Sequence, residues 1–190
     1  MTLSPYLTGS LLLAMPSMTD PRFDRGVIFL CSHDKNGAMG IVINTPHENL
    51  RFGELVEQLD IDPLDENTDL DETLVHCGGP VEPGRGFVLH SADYVQDSTL
   101  IISETHALSA TVDILRAIAE GHGPLKHLVA LGYAGWGPGQ LEQEIQQNAW
   151  MTADADDEII FNTDFEQKWP RAMAMLGVDI SMLSSLSGHA

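Results

Sequence analysis

The chain has 190 residues, with nine basic and 28 acidic side chains and a formal net charge of −19. That length fits one domain over residues 1–190, able to bury roughly 70% of its unfolded surface without disulfides or metal. The charge repels phosphate backbones and anionic lipid, and the few Lys and Arg are scattered, so direct DNA binding by this chain is not expected.

No apolar run approaches the roughly 20 residues needed to cross a bilayer. The run Leu11–Met15 is short and has neither a basic flank nor a cleavage pattern, so it is not read as a signal peptide. Cys31 and Cys77 are too few for a disulfide framework and read as reduced, buried thiols. The cytoplasm is the expected compartment. The sequence does not speak to oligomeric state.

In chain order, 10–15 reads as a strand ended by Pro16. A loop follows, with one helical turn after Thr19 or Asp20 and Pro21 at its first position. Residues 26–32 form a continuous apolar, β-branched run, expected as a strand buried on both faces. The turn 33–37 contains Asn36-Gly37, a hairpin signal because both residues tolerate positive φ, and 38–44 returns as the second strand. Phe52, Leu55, Val56 and Leu59 recur at helical spacing. Residues 48–72 hold ten acids against Arg51, without the spacing or glycine of a calcium loop, and read as a solvated acidic loop.

Short strands are expected at 73–77, 87–91 and 98–103, with a turn-rich segment at 78–86. A helix from Ala107 to Ala119 carries Leu108, Val112, Leu115 and Ala119 on one face, capped by Thr105 or Ser109 and stopped at Gly121. A buried strand at 126–133 leads into Gly132–Trp150, which reads as a tight strand-to-helix turn with Pro138 starting the helix. Residues 151–161 read as strand, acidic turn and strand. A helix from Phe165 to Leu176 follows, with Pro170 inside it and Gly177 ending it, and one more helical turn is expected around Met182 and Leu186. Strands joined by turn-rich links favour a mixed, mostly antiparallel sheet.

Three features invite a chemical reading. Gly132-x-Ala134-x-x-Gly137 has the position of a dinucleotide loop, but Ala134 replaces the glycine that admits a pyrophosphate, and Pro138 removes an N–H from the helix start. Cys31-Ser32-His33-Asp34 holds the residue types of thiol catalysis. Sequence neighbours rarely build such a dyad, however, and a buried cysteine is the plainer reading. The eight histidines form no local zinc motif; a site assembled in space from His76, His90 and Cys77 is the remaining option. No cofactor or metal site is assigned.

Several ordered blocks resemble the YqgE/AlgH family. They are Gly9-x-Leu11-x-x-Ala14-x-Pro16, Asp20-Pro21-x-Phe23, Gly37-Ala38-Met39-Gly40 with Asn44, and Gly78-Gly79-Pro80-Val81. Leu89-His90-Ser91 follows, then Gly132 through Glu142 with Glu144, Asn148 and Trp150, and finally Trp169 and Leu176-Gly177. The resemblance implies an α+β fold with a mixed, mostly antiparallel bifurcated sheet, partly closed into a small barrel and surrounded by helices. It brings no catalytic or ligand residues with it. One branch of the family carries the description of a transcriptional regulator of alginate production.

The expectation is therefore a non-enzymatic binding or regulatory protein that acts through a protein partner. The alternative is an enzyme or small-ligand protein whose pocket lies where Asn44, Gly78–Val81 and Gly135–Gln140 converge. Asn44, His90, Trp136, Gln140 and Glu142 are the candidate pocket or interaction residues.

Overall fold

The computed structural model of the chain describes residues 5–62, 70 and 73–181. The order of elements is β1 (Leu11–Ala14), a 3-10 turn (Pro21–Phe23), β2 (Val27–Asp34), β3 (Gly37–Val42), β4 (Pro46–Arg51), α1 (Phe52–Gln58), β5 (Leu74–Cys77), β6 (Val81–Ser91), β7 (Leu100–Ile101), β8 (His106–Ser109), α2 (Val112–Ala119), β9 (His127–Trp136), α3 (Gln140–Gln146), β10 (Trp150–Ala153), a π-turn (Glu158–Asn162) and α4 (Phe165–Met175). The fold is α+β, built on one curled sheet in the order β10-β1-β2-β3-β9-β6-β8-β7, with β5 also on β9 and β4 on β5. All pairs are antiparallel except β5 with β9.

The sheet divides at β9. Val129–Leu131 pair with β5 and Ala134–Trp136 pair with β3, on successive stretches of the same strand. Gly132, at φ +78°, sits between the two stretches. The β5–β6 link crosses here, where Gly78 N–H donates to the Leu131 carbonyl and Val42 N–H to the Gly78 carbonyl. A Cβ on Gly78 would lie 2.3 Å from the Gly132 oxygen, and one on Gly79 would lie 2.0 Å from the Tyr133 carbonyl carbon. Backbone therefore packs directly on backbone at the division, which only glycine permits.

Burial on both faces explains the continuous apolar runs of β1 and β2. Leu11, Leu13, Val27 and Phe29 face a core closed by Ile159, Ile160, Trp169, Ala172 and Met173. Leu12, Ala14, Ile28 and Leu30 face a second core with Trp136, Leu141 and Trp150. A third core joins α1 and α2 to β5, β6 and β9 through Phe52, Val56, Ile114, Val75, Val88 and Val129.

Several local expectations change. The hairpin forms, but β2 and β3 flank Lys35-Asn36, and only Gly37 of the Asn-Gly pair has positive φ. Residues 48–51, read as the start of an acidic loop, belong to β4, which pairs with β5. β6 begins at Val81, its Pro83 and Gly84 accommodated where the register with β9 shifts. His106–Ser109 is a strand between β6 and β7, so Leu108 leaves the expected helix; pairing outweighs its helical spacing, and the helix starts after Thr111. β9 runs on to Trp136, and α3 starts at Gln140 behind Gly139 (φ +72°), so Pro138 precedes the helix rather than opening it. Residues 158–162 are a π-turn instead of a strand. The turn expected around Met182 and Leu186 lies outside the described residues.

Candidate functional site

The side chain that sequence reasoning missed is Lys168, on α4. It is 3% exposed. Its Nζ donates to the Ile43 carbonyl at 2.9 Å and to the Ile160 carbonyl at 2.7 Å. Among the described residues no carboxylate lies within ion-pair distance of it. Burial lowers its pKa to about 8. One signal could have found it: Lys168 precedes Trp169 and lies one turn before Ala172, so it shares the buried face of the helix.

Lys168 lines a cleft of about 560 Å³ with Thr73, Leu74 and His76 from the β5 side, His127 and Leu128 from β9, and 161–166 from the π-turn and the start of α4. His76 Nδ1–H donates to the Val129 carbonyl at 3.2 Å, which leaves Nε2 as an acceptor. Burial, with Lys168 beside it, lowers the His76 pKa to about 4. Burial also lowers that of His127, so both rings are neutral near pH 7.

The π-turn joins this cleft to a second cluster. His106 Nε2–H donates to Asp157 Oδ1 at 2.6 Å, and Lys126 Nζ to Asp157 Oδ2 at 2.9 Å. Burial would raise the Asp157 carboxyl, but Lys126 and His106 outweigh it and hold it low. Thr105 and Ser103 hydroxyls lie 3.0 and 3.3 Å from His106 Nδ1. The order hydroxyl–imidazole–carboxylate resembles a hydrolytic relay. Yet Ser103 Oγ accepts the backbone N–H of both Thr105 and His106, so it closes a turn, and His106 stacks on Phe161. The cluster pins the π-turn to β8.

The five candidate residues from the sequence serve separate contacts. Asn44 accepts from Val27 N–H at 2.9 Å and donates to the Arg25 carbonyl at 2.8 Å. His90 is fully buried, its Nδ1–H donating to the Ser91 carbonyl and its Nε2 accepting from the Ser109 hydroxyl. Gln140 Oε1 accepts from Gly137 N–H at 3.0 Å, tightening the turn before α3. Glu142 accepts from His33 Nε2–H at 2.5 Å, while Leu7 N–H donates to His33 Nδ1. Trp136 meets Trp150 edge to face. Burial raises the Glu144 carboxyl against the pull of these two indoles.

Of the segments expected to converge, Val81, Gly135 and Trp136 share an open groove of about 670 Å³ with Met39, Phe87 and Tyr133. Gly79 lines a smaller one of about 190 Å³ with Val42, Thr45 and Cys77. Cys31 and Cys77 are free, and burial raises both thiols. Among the described residues no three His, Cys, Asp or Glu side chains gather at metal-binding distance, His76, His90 and Cys77 included.

A family model described as AlgH-like matches residues 11–181. The chain belongs to the AlgH-like family. A UPF0301 protein of Cereibacter sphaeroides is 51% identical over 185 residues, covering 97% of this chain and 99% of that protein. Another, of Bradyrhizobium diazoefficiens, is 53% identical over 190 residues, covering 97% and 89%. The solution structure of the AlgH protein from Pseudomonas aeruginosa is similar with a TM-score of 0.77 and 43% identity, covering 100% of this chain and 99% of that one. A crystal structure from Corynebacterium diphtheriae, 20% identical with a TM-score of 0.73 over 93% and 90% of the two chains, shares the fold.

Proposed function

We propose that this AlgH-like chain is a non-enzymatic binding protein of the cytoplasm with a regulatory role exercised through a protein partner. The supporting observation is β7. This two-residue strand ends the sheet order, with Leu100 and Ile101 47% and 51% exposed. It lies beside the open groove lined by Met39, Val81, Phe87, Leu108, Tyr133 and Trp136. An extended partner segment added to β7 would bond the edge and cover these side chains. The charge of −19 favours a basic segment and disfavours DNA itself, so any effect on transcription passes through the partner. The two free cysteines fit a reducing compartment.

The test is a photo-crosslinker at position 101 in living cells, with position 175 on exposed α4 as control. A discrete adduct from 101, absent from 175 and lost in Leu100→Glu, supports the reading. Identical patterns from the two positions, or a tight salt-sensitive shift of duplex DNA, contradicts it. The alternative, an enzyme or ligand protein with its pocket near Asn44, Gly79 and Gln140, has less support, because the Asn44 and Gln140 amides are engaged by backbone.

A further inference from the structure

We propose that the cleft over Lys168 binds a small organic monocarboxylate, with its carboxylate on the lysine ammonium and its apolar part against Leu74, Leu128, Phe161 and Phe165. This site is separate from the partner surface at β7 and stands without it.

A buried ammonium is stable only when its three donors and its charge are matched. Two donors of Lys168 are taken by the Ile43 and Ile160 carbonyls. The third has no protein acceptor among the described residues, and no carboxylate neutralises the charge. Lys168 is one of the residues that line the cleft, and its unclaimed donor is what a ligand there would engage. His76 and His127 are held neutral there, so Lys168 supplies the positive charge among the described lining residues. Thr73 lines the same space, and a hydroxyl is the side-chain donor it would bring to a ligand.

The rest of the lining sets the ligand class. Asp164 and Glu166, both exposed, border the cleft, and the chain as a whole is strongly acidic. One ammonium can offset one carboxylate, but a dianion or phosphate would meet these acids with its second charge uncompensated. The apolar walls suit a short alkyl or aryl body, as polar anchors in apolar pockets generally do.

The experiment is NMR of the full chain carrying ¹³Cε-labelled lysine, titrated with acetate, butyrate and benzoate, and with succinate and inorganic phosphate for comparison. Saturable binding of at least one monocarboxylate with a Kd of about 1 mM or tighter is expected, with succinate and phosphate at least about tenfold weaker. The Lys168 titration midpoint, about 8 without ligand, should move upward on binding. Affinity should fall about 30-fold between pH 7 and pH 9.5 as the ammonium deprotonates. Lys168→Met should abolish binding. Because that variant strands two buried carbonyls and risks unfolding, the wild-type midpoint and pH profile decide the matter on their own, and Thr73→Val should weaken binding without loss of fold. No saturable monocarboxylate binding, a preference for phosphate, or binding that leaves the Lys168 midpoint unmoved would each overturn the proposal.

Discussion

Acid should destabilise this fold through His76. The residue is 6% exposed. Burial first, and then the Lys168 charge, lower its pKa from 6.5 to about 4, against a weaker upward pull from the Val129 carbonyl. A base with a lower pKa folded than unfolded is protonated more readily in the unfolded chain. Its contribution is therefore fully present above pH 6.5 and is lost as the pH falls toward 4. Between pH 7 and pH 4.5 the linkage relation gives a loss of about 2 kcal/mol from this residue. Other groups titrate in the same window, so the measurement is a double difference. Urea unfolding of wild type and His76→Phe at both pH values should show a pH-dependent loss smaller by that amount in the variant, whatever the pH-independent cost of the substitution. The His76 ring followed by NMR should titrate near 4. A midpoint near 6.5, or equal losses in the two proteins, would refute the reasoning.

Two further outcomes separate structural from functional roles. Gly79→Ala should cost about 3 kcal/mol or more, because its φ of +153° excludes other residues and the new Cβ would strike the Tyr133 backbone. Gly84→Ala, where a Cβ meets nothing within 4 Å, should stay within about 0.5 kcal/mol of wild type; thermal melting of the pair checks both. Asn44→Ala should cost about 1–2 kcal/mol in chemical denaturation, because it strands the buried Val27 N–H while the exposed Arg25 carbonyl regains water. It should leave monocarboxylate binding at Lys168 unchanged.

Local pattern made much of this fold legible. The run 26–32 and the Gly37 turn yield β2 and β3, the Phe52–Leu59 stripe yields α1, and the 3-10 turn opens on Pro21 behind an Asp20 cap as its sequence suggests. Two of the misreadings share one cause. His106–Ser109 and Ile159–Phe161 are short segments, compatible with helix or strand, and what settles them is a neighbour: β6 and β7 for the first, the core under α4 for the second. The candidate residues Asn44, Gln140 and Glu142 stood out because a polar side chain beside turns suggests a site. In the fold Asn44 accepts from Val27 N–H, Gln140 accepts from Gly137 N–H and Glu142 meets His33, contacts that the sequence pattern does not disclose.

Gly132–Trp150 shows the division most clearly. Its glycines, its helical stripe and its mismatch to a phosphate loop are properties of the sequence alone, as are the charge of −19 and the alternating faces of β1 and β2. That Gly132 meets Gly78 and Gly79, and that the sheet divides there, was decided by the parallel pairing of β5 with β9. The Lys168 cleft was decided in the same way, because the lysine and the Ile43 carbonyl it bonds are 125 residues apart. Sequence periodicity determines which face of an element is apolar and where the chain can turn. Which faces and carbonyls then meet depends on strand pairing across long separations, and only the folded chain supplies it.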